Sequence, residues 1–341
     1  MLKHLFLVSL LIFISLAPKS MAQNNSLPAL HQAVISGDLA KVKRLVSHGA
    51  DINQLDSKMG NAPLHIAAQT DHTEIVKYLI EQGAFINLQT PRSGFTPLMV
   101  AAWYSKEANI KALFEYDELN INLKTRTGAM AEDMVGGWDR YIEPHEAELY
   151  NHLNAIFLAK RAELELQLSK QKILNIVEDS ALDEDEKVKR IAVLISNGQD
   201  VNQRRPVYSS QNDWHTALLI AAREGYSKIV KLLLQHGADQ TIPGYPMNAI
   251  AFHKAGYMGH PKVVELLLAD KLAPLVLNAQ GPNNGYTPLH DAIWHGNTEA
   301  AKVFLKGGAK QNLITYENDT PLQLAERYQY DEIIKLIKGS L

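Results

Sequence analysis

The stretch "APLHIAAQTDHTEIVKYLIEQGAFIN" at residues 62–87 decides the fold. Its proline suits the first turn of a helix, where the missing N–H would have no partner, and the small residues Ala67 and Ala68 allow close packing. A second apolar stripe follows at helical spacing and consists of Ile75, Val76, Leu79 and Ile80. Gly83 ends that stripe, because a helix commonly stops at a residue in the left-handed conformation. The stretch predicts two short helices followed by a polar turn.

Closely similar segments recur along the chain. They are "TALLIAAREGYSKIVKLLLQHGADQ" at 216–240 and "TPLHDAIWHGNTEAAKVFLKGGAKQN" at 287–312. The period is regular, since Pro63 and Pro97 are 34 residues apart. A single helix pair cannot bury both of its faces, whereas a stack of such pairs can. The repetition therefore predicts a solenoid of stacked helix pairs.

On these segments the chain resembles the ankyrin-repeat family, whose units carry the T-P-L-H phrase at this period. The resemblance implies an all-α ankyrin-repeat solenoid of helix-turn-helix units with β-hairpin-like turns. We expect an N-terminal array of about four units at 23–142, the last of them degenerate, and a C-terminal array of about five units at 173–341. Residues 143–172 contain no glycine and predict a long helical connector. This helix is compatible with one continuous superhelix and with two separate arrays.

Residues 1–22 differ from the rest of the chain. Lys3 precedes an apolar run from Leu5 to Ala17, and Ser20 and Ala22 are the small residues that a signal peptidase accepts. The run is short for a membrane span, so we expect a secretory signal cleaved after Ala22; the alternative is an uncleaved anchor. The chain has no cysteine, which excludes a lipid-anchored bacterial lipoprotein and disulfides. These features favour a bacterial periplasmic or secreted protein without membrane attachment after cleavage.

Ankyrin repeats are in general binding scaffolds, and the resemblance implies that a partner protein lies in a concave groove. The groove would be lined by the hairpin tips and the exposed ends of the first helices. In the six units where they can be aligned, the two positions after the small-residue pair hold Trp or Tyr at five of twelve places, although aromatic residues make up 7% of the chain. Trp, Tyr and Arg dominate binding hot spots. The predicted partner-binding residues are Arg92, Phe95, Trp103, Tyr104, Trp214, His215, Arg223, Tyr257, Met258, Tyr286, Trp294, His295, Arg327 and Tyr328.

Two aromatic patches are expected within this set. Trp103 and Tyr104 would form one, and Tyr257, Trp294 and Tyr328 would form the other on the C-terminal array. The alternative is that these rings pack against neighbouring repeats or hairpins instead of meeting a partner.

Histidines and acidic residues have structural interpretations. The resemblance implies that His65, His253 and His290, at the L-H position, hydrogen-bond the turns of adjacent repeats and do not bind metal. The acidic run at 183–186 could attract a basic partner, although such runs are more often solvated loops.

Other chemistry has little support in the sequence. A net charge of −3 opposes nucleic-acid binding, and no phosphate-loop, dinucleotide or nucleophile-elbow motif occurs. We therefore expect a monomeric, non-enzymatic protein–protein interaction module with no cofactor, metal or nucleic acid. One alternative is an exported effector or immunity-type protein that binds one specific target. A less favoured alternative is an enzyme with its site in the irregular region 123–175.

Overall fold

The structure is a computed structural model that describes residues 27–137, 144–208, 212–245 and 247–339. The expected signal segment, 1–22, lies outside the described residues. Within them the chain is helical, and its β structure is limited to one isolated bridge between Gly244 and Ala249. The all-α ankyrin solenoid expected from the sequence is confirmed.

The helices follow one another in pairs. The first three pairs are α1 (Ala29–Ile35) and α2 (Leu39–Ser47), α3 (Pro63–Ala68) and α4 (Thr73–Glu81), and α5 (Pro97–Trp103) and α6 (Glu107–Phe114). A 3-10 turn at Glu132–Met134 takes the place of the first helix in the degenerate fourth unit. The long helix α7 follows at Pro144–Lys170.

The remaining helices continue this order. They are α8 (Lys172–Glu178), α9 (Glu184–Ser196), α10 (Ala217–Glu224), α11 (Ser227–Gln235), α12 (Ala251–Met258), α13 (Pro261–Leu268), α14 (Ala273–Val276), α15 (Pro288–Trp294), α16 (Thr298–Lys306), α17 (Pro321–Arg327) and α18 (Asp331–Gly339).

The described residues fall into two compact units. The first unit takes the residues up to 115 together with those from 124 to 150. The second takes residues 116–123 together with those from 151 onward. The array boundaries at 142 and 173 stay predictions.

Several first helices begin in the way that the sequence predicts. The hydroxyl of Thr96 accepts a hydrogen bond from the backbone N–H of Met99, and Thr287 does the same for His290. Each threonine is followed by a proline at the first helical position. The cap satisfies an N–H that would otherwise have no partner at the start of the helix.

Histidines of three first helices join their repeats to the next one. The Nδ1 atom of His65 accepts from the backbone N–H of Ala62 at 3.2 Å, so its Nε2–H donates to the carbonyl of Phe95 at 3.0 Å. His253 repeats this geometry, with Nε2 3.3 Å from the carbonyl of Tyr286. His31 shares only the second of these bonds, with its Nε2 2.9 Å from the carbonyl of Asn61. The bonds from His65 and His253 to the hairpin of the next repeat confirm the structural role expected of these two residues. His290 differs, because its Nδ1 bonds Thr287 of its own repeat and its Nε2 has no hydrogen-bond partner among the described residues.

Side chains of the following repeat point back to the ends of the first helices. The Nε2 atom of His260 bonds the carbonyl of Arg223 at 2.8 Å, and the Nδ2 of Asn297 donates to the carbonyls of Gly256 and Tyr257 at 2.9 and 2.8 Å. Neighbouring repeats are therefore held together by hydrogen bonds in both directions as well as by apolar packing.

The core of the second unit continues from repeat to repeat. Phe252 and Phe304 are both fully buried, and their ring centroids lie 5.8 Å apart. A Cβ atom on Gly256 would lie 2.6 Å from the carbonyl oxygen of Pro288. The missing side chain therefore permits the close approach of α12 to α15, and this approach places the exposed residues at the ends of both helices side by side.

Candidate partner-binding site

The exposed aromatic residues of the second unit come from the ends of the first helices in three successive repeats. Tyr257 lies at the end of α12, Trp294 is the last residue of α15, and Tyr328 caps α17. All three are partly solvent-exposed, with Trp294 38% exposed. Tyr257 and Trp294 occupy the same position of their repeats, and Tyr328 occupies the next position, which His295 holds in the preceding repeat.

These side chains form one continuous cluster. The ring centroids of Tyr257 and Trp294 lie 6.0 Å apart at an interplanar angle of 68°, and those of Tyr286 and Trp294 lie 5.7 Å apart at 86°. The indole Nε1–H of Trp294 donates to the hydroxyl of Tyr328 at 3.2 Å. His295 lies 3.9 Å from Tyr257 between centroids. We call Tyr257, Tyr286, Trp294, His295 and Tyr328 the C-terminal aromatic cluster.

The cluster has a mixed environment. Met258 is exposed beside Tyr257. Tyr286 is half-buried, and burial raises the pKa of its hydroxyl, while burial lowers the pKa of the His295 ring. Both groups are therefore uncharged near neutral pH. Together they offer apolar ring surface with a few hydroxyl groups, the composition of a protein-binding hot spot.

Two charged residues lie about one helical turn before the cluster on the same helices. Lys254 precedes Tyr257 by three residues on α12, and Asp291 precedes Trp294 by three on α15. Residues three apart share a helix face. Burial raises the pKa of Asp291 to about 8, an effect that the nearby ammonium of Lys254 opposes. Burial, and then repulsion from Arg223, lower the pKa of Lys254.

The two predicted arginines of the second unit are already engaged. Arg223 forms an ion pair with Glu224 at 2.6 Å and donates to the amide oxygen of Asn212. Arg327 lies against Glu317 and Asp319. Both arginines can flank a partner, but neither is a free charge.

A separate group of predicted residues lies in the first unit. The rings of Phe95 and Trp103 are half-buried, with centroids 5.9 Å apart, while Tyr104 and Arg92 are exposed. Trp103 thus packs in part on a hairpin residue of its own repeat and in part faces solvent.

His215 differs from the prediction. It is only 1% exposed, and its Nδ1 lies 2.8 Å from the carbonyl of Asp213 in its own turn. The ring therefore organises the hairpin and offers no surface to a partner. The adjacent Trp214 is half-buried, with its ring 6.1 Å from that of Tyr245 and 4.9 Å from the guanidinium of Arg204.

The sequence analysis missed three residues that the structure brings out. His31 belongs to the inter-repeat series, and the Leu-His pair at 30–31, 34 residues before the pair at 64–65, is the signal for it. Asp291 and Lys254 were overlooked because they stand at the variable position after the motif histidine. The importance of Asp291 and Lys254 comes from their contact with a neighbouring repeat, which the motif of one repeat does not specify.

The described part of the chain has no group of three or more His, Asp or Glu residues arranged to hold a metal ion. Among the same residues, no helix has the length and apolarity needed to cross a bilayer.

Comparison with known proteins agrees with this architecture. The family model described as "Ankyrin repeats (3 copies)" matches residues 30–125, 181–276 and 253–340, more than half of the chain. The chain belongs to the ankyrin-repeat family. It is therefore a protein–protein interaction module, and all five residues of its C-terminal aromatic cluster fall within the matched repeats.

Individual relatives match over the repeats only. The tyrosine-protein kinase HTK16 of Hydra vulgaris is 31% identical over 124 residues, which are 35% of this chain and 16% of the kinase. The putative ankyrin repeat protein FPV031 of fowlpox virus is 36% identical over 152 residues, 43% of this chain and 42% of that protein. Protein phosphatase 1 regulatory subunit 27 of Homo sapiens is 52% identical over 51 residues, 15% of this chain and 32% of that protein. The chain spans less than half the length of each.

Proposed function

We propose that this chain is an exported, non-enzymatic interaction module that binds one partner protein in the periplasm or outside the cell. The C-terminal aromatic cluster is the main contact surface. The observation that carries the proposal is the continuity of this cluster across three repeats, with the exposed ring of Tyr257 at 6.0 Å and the half-buried ring of Tyr286 at 5.7 Å from Trp294.

The energetics of the cluster support this role. The rings stand on helices that are already packed and capped, so docking orders few side chains and aromatic burial appears as affinity. Isolated exposed aromatic residues are common on protein surfaces, whereas a contiguous exposed apolar patch usually marks an interaction site. The partner would bury rings that are partly in water.

Removing two rings of the cluster tests the proposed surface. The double variant Tyr257→Ala/Trp294→Ala should bind the partner at least roughly 30-fold more weakly, because central aromatic hot spots contribute about 2 kcal/mol or more each. The partner is isolated by affinity capture from periplasmic extract and culture medium, and its dissociation constant is then measured with wild-type and variant chains.

The matched control is Phe85→Ala, which removes an exposed ring from the first unit, outside the cluster. This variant should bind like the wild type. Circular dichroism verifies that both variants keep their helices. Undiminished binding by the folded double variant would refute the proposed surface.

Export is tested separately. Cell fractionation should recover the chain from the periplasm or medium, and its N-terminal sequence should begin at Gln23, the residue after the proposed cleavage site. A cytoplasmic chain that begins at Met1 contradicts export without affecting the partner-binding surface.

A further inference from the structure

We propose that the C-terminal aromatic cluster receives a basic side chain of the partner protein, an arginine or a lysine, between the rings of Tyr257, Tyr286 and Trp294 and toward the Asp291 carboxyl. The inference rests on the proposed function and specifies the chemistry of the same surface. The alternatives to a basic side chain are an aromatic side chain and an acidic side chain of the partner.

The ring geometry favours a cation. Tyr257 and Tyr286 both stand steeply to the plane of Trp294, at 68° and 86°. At such angles the faces of neighbouring rings border a common space. The faces of Trp and Tyr carry the negative part of the ring quadrupole and attract ammonium and guanidinium groups, with Trp attracting them most strongly.

Asp291 adds a buried carboxyl group on the same helix as Trp294, and an incoming cation would favour its ionised form. The residue is only 9% exposed, and the ammonium of Lys254 is the charge that acts on its carboxyl group. Ionising a buried carboxyl is costly, and an incoming cation that binds the ionised form offsets that cost. The position of Asp291, three residues before Trp294 and four before His295, puts it on the cluster's face of α15.

The nearby positive charges argue for an acidic occupant, but less strongly. Arg223 is held by Glu224 and Asn212, and Arg327 is held by Glu317 and Asp319. Of these three cations only Lys254 has no ion pair with a described residue, and an acidic occupant would bring its carboxylate close to the negative ring faces. The ring faces and the Asp291 carboxyl therefore favour a cationic occupant over an acidic one.

A small-molecule titration of the full chain tests the inference. The probe is Nα-acetyl-arginine methylamide, and its matched control is the citrulline analogue, which has the same shape but no charge. The readout is the indole N–H signal of Trp294 in the ¹⁵N-tryptophan-labelled chain at pH 7.5, assigned with Trp294→Phe. The arginine probe should shift this signal saturably, with at least fivefold higher affinity than the citrulline probe.

Three variants separate the contributions. Asp291→Asn should weaken the arginine probe at least fivefold, whereas Glu299→Gln, which removes an exposed carboxylate of α16, should leave its affinity unchanged. Lys254→Gln should strengthen it about twofold or more, because it removes the competing ammonium beside Asp291. Circular dichroism verifies the fold of each variant.

Specific results would overturn the inference. Equal affinity for the arginine and citrulline probes removes the role of charge, and unchanged binding by Asp291→Asn removes the role of the carboxyl. Saturable binding of Nα-acetyl-glutamate methylamide that Lys254→Gln abolishes would establish an acidic occupant. In each of these cases the Tyr257→Ala/Trp294→Ala experiment still decides independently whether the cluster is the docking surface.

Discussion

Acidification from pH 7 to pH 5 should destabilise the wild-type chain considerably more than the double variant His253→Gln/His290→Gln. The difference should be about 4 kcal/mol in the free energy of unfolding, or about 2 kcal/mol for each histidine. Urea unfolding at pH 7, 6 and 5, followed by circular dichroism, measures it. This is the largest effect that we expect from a single property of the fold.

The cause is the burial of the two rings. Burial lowers the pKa of His253 to about 4, and it lowers the pKa of His290 to the same value. Moreover, the Nδ1 of each ring accepts a backbone N–H at the start of its own helix, so a proton there would face another proton. In the unfolded chain both rings regain an ordinary pKa near 6.5. Below pH 6.5 the unfolded chain therefore binds protons that the native chain does not, and stability falls until about pH 4.

Glutamine is a suitable replacement because the chain uses it at the same position of α17. There the Oε1 of Gln323 accepts from the backbone N–H of Thr320 at 2.9 Å. Other groups change stability in both proteins equally: the raised pKa of Asp291, for example, gives a stability contribution that grows on acidification from pH 8. The comparison between the two chains cancels these contributions.

The control is His236→Gln, which alters a histidine that is exposed at the end of α11. Its loss of stability between pH 7 and pH 5 should match that of the wild type. If the double variant also lost as much stability as the wild type, the buried histidines would not be the cause of acid sensitivity.

Replacing Asn109 with the isosteric Leu should destabilise the first unit by about 3 kcal/mol, since each buried polar group left without a partner costs about 1–3 kcal/mol. The Nδ2 of Asn109 donates to the carbonyls of Ala67, Ala68 and Thr70 at 3.3, 3.0 and 2.7 Å. Its Oδ1 accepts from the hydroxyl of Thr73 at 2.7 Å. Denaturant unfolding measures the loss.

A graded control accompanies this variant. Thr73→Val removes only the hydrogen bond to the Oδ1 of Asn109 and should cost about 1 kcal/mol. Equal stability of Asn109→Leu and the wild type would show that apolar packing compensates for the lost bonds. The corresponding residue of the preceding repeat is the buried Ile75, so an apolar side chain is compatible with this position of the helix. A loss of stability in Asn109→Leu would therefore report the missing hydrogen bonds.

The repeated phrases allow much of the fold to be predicted. Threonine caps, the following prolines and the terminal glycines all act within one helix or turn, so a single segment such as 62–87 contains enough information to place them. The long helix was predictable for the same reason, because residues 144–170 lack any helix-ending signal between two segments that have them. The structural roles of His65 and His253 followed from the family's regular spacing.

Features that depend on contacts between repeats were not predictable. Asn109 stands where the helical pattern expects an apolar residue. The buried Lys187 donates to the carbonyl of Val177 at 2.7 Å and lies 4.2 Å over the ring of Tyr226. The acidic run at 183–186 is not a loop: Asp183 caps α9, whose first turn places the remaining carboxylates at the positive end of the helix dipole.

The candidate site was predicted as a set of positions, and the structure adds their arrangement. Exposure at Tyr104, Tyr257, Trp294 and Tyr328 agrees with the expected surface, whereas the buried His215 does not. The sequence places His215 beside Trp214 in a turn, but it does not show which ring points inward. The single contiguous cluster also depends on Gly256 and the helix approach that it permits.

Because the rings of the C-terminal aromatic cluster come from three successive repeats, their mutual spacing depends on the curvature of that part of the stack. Elastic bending of a solenoid changes the distance between neighbouring repeats. A ligand that contacts Tyr257, Trp294 and Tyr328 together would resist such bending. A pulling force on the C-terminal repeats should therefore weaken binding at the cluster, and binding should make these repeats harder to bend.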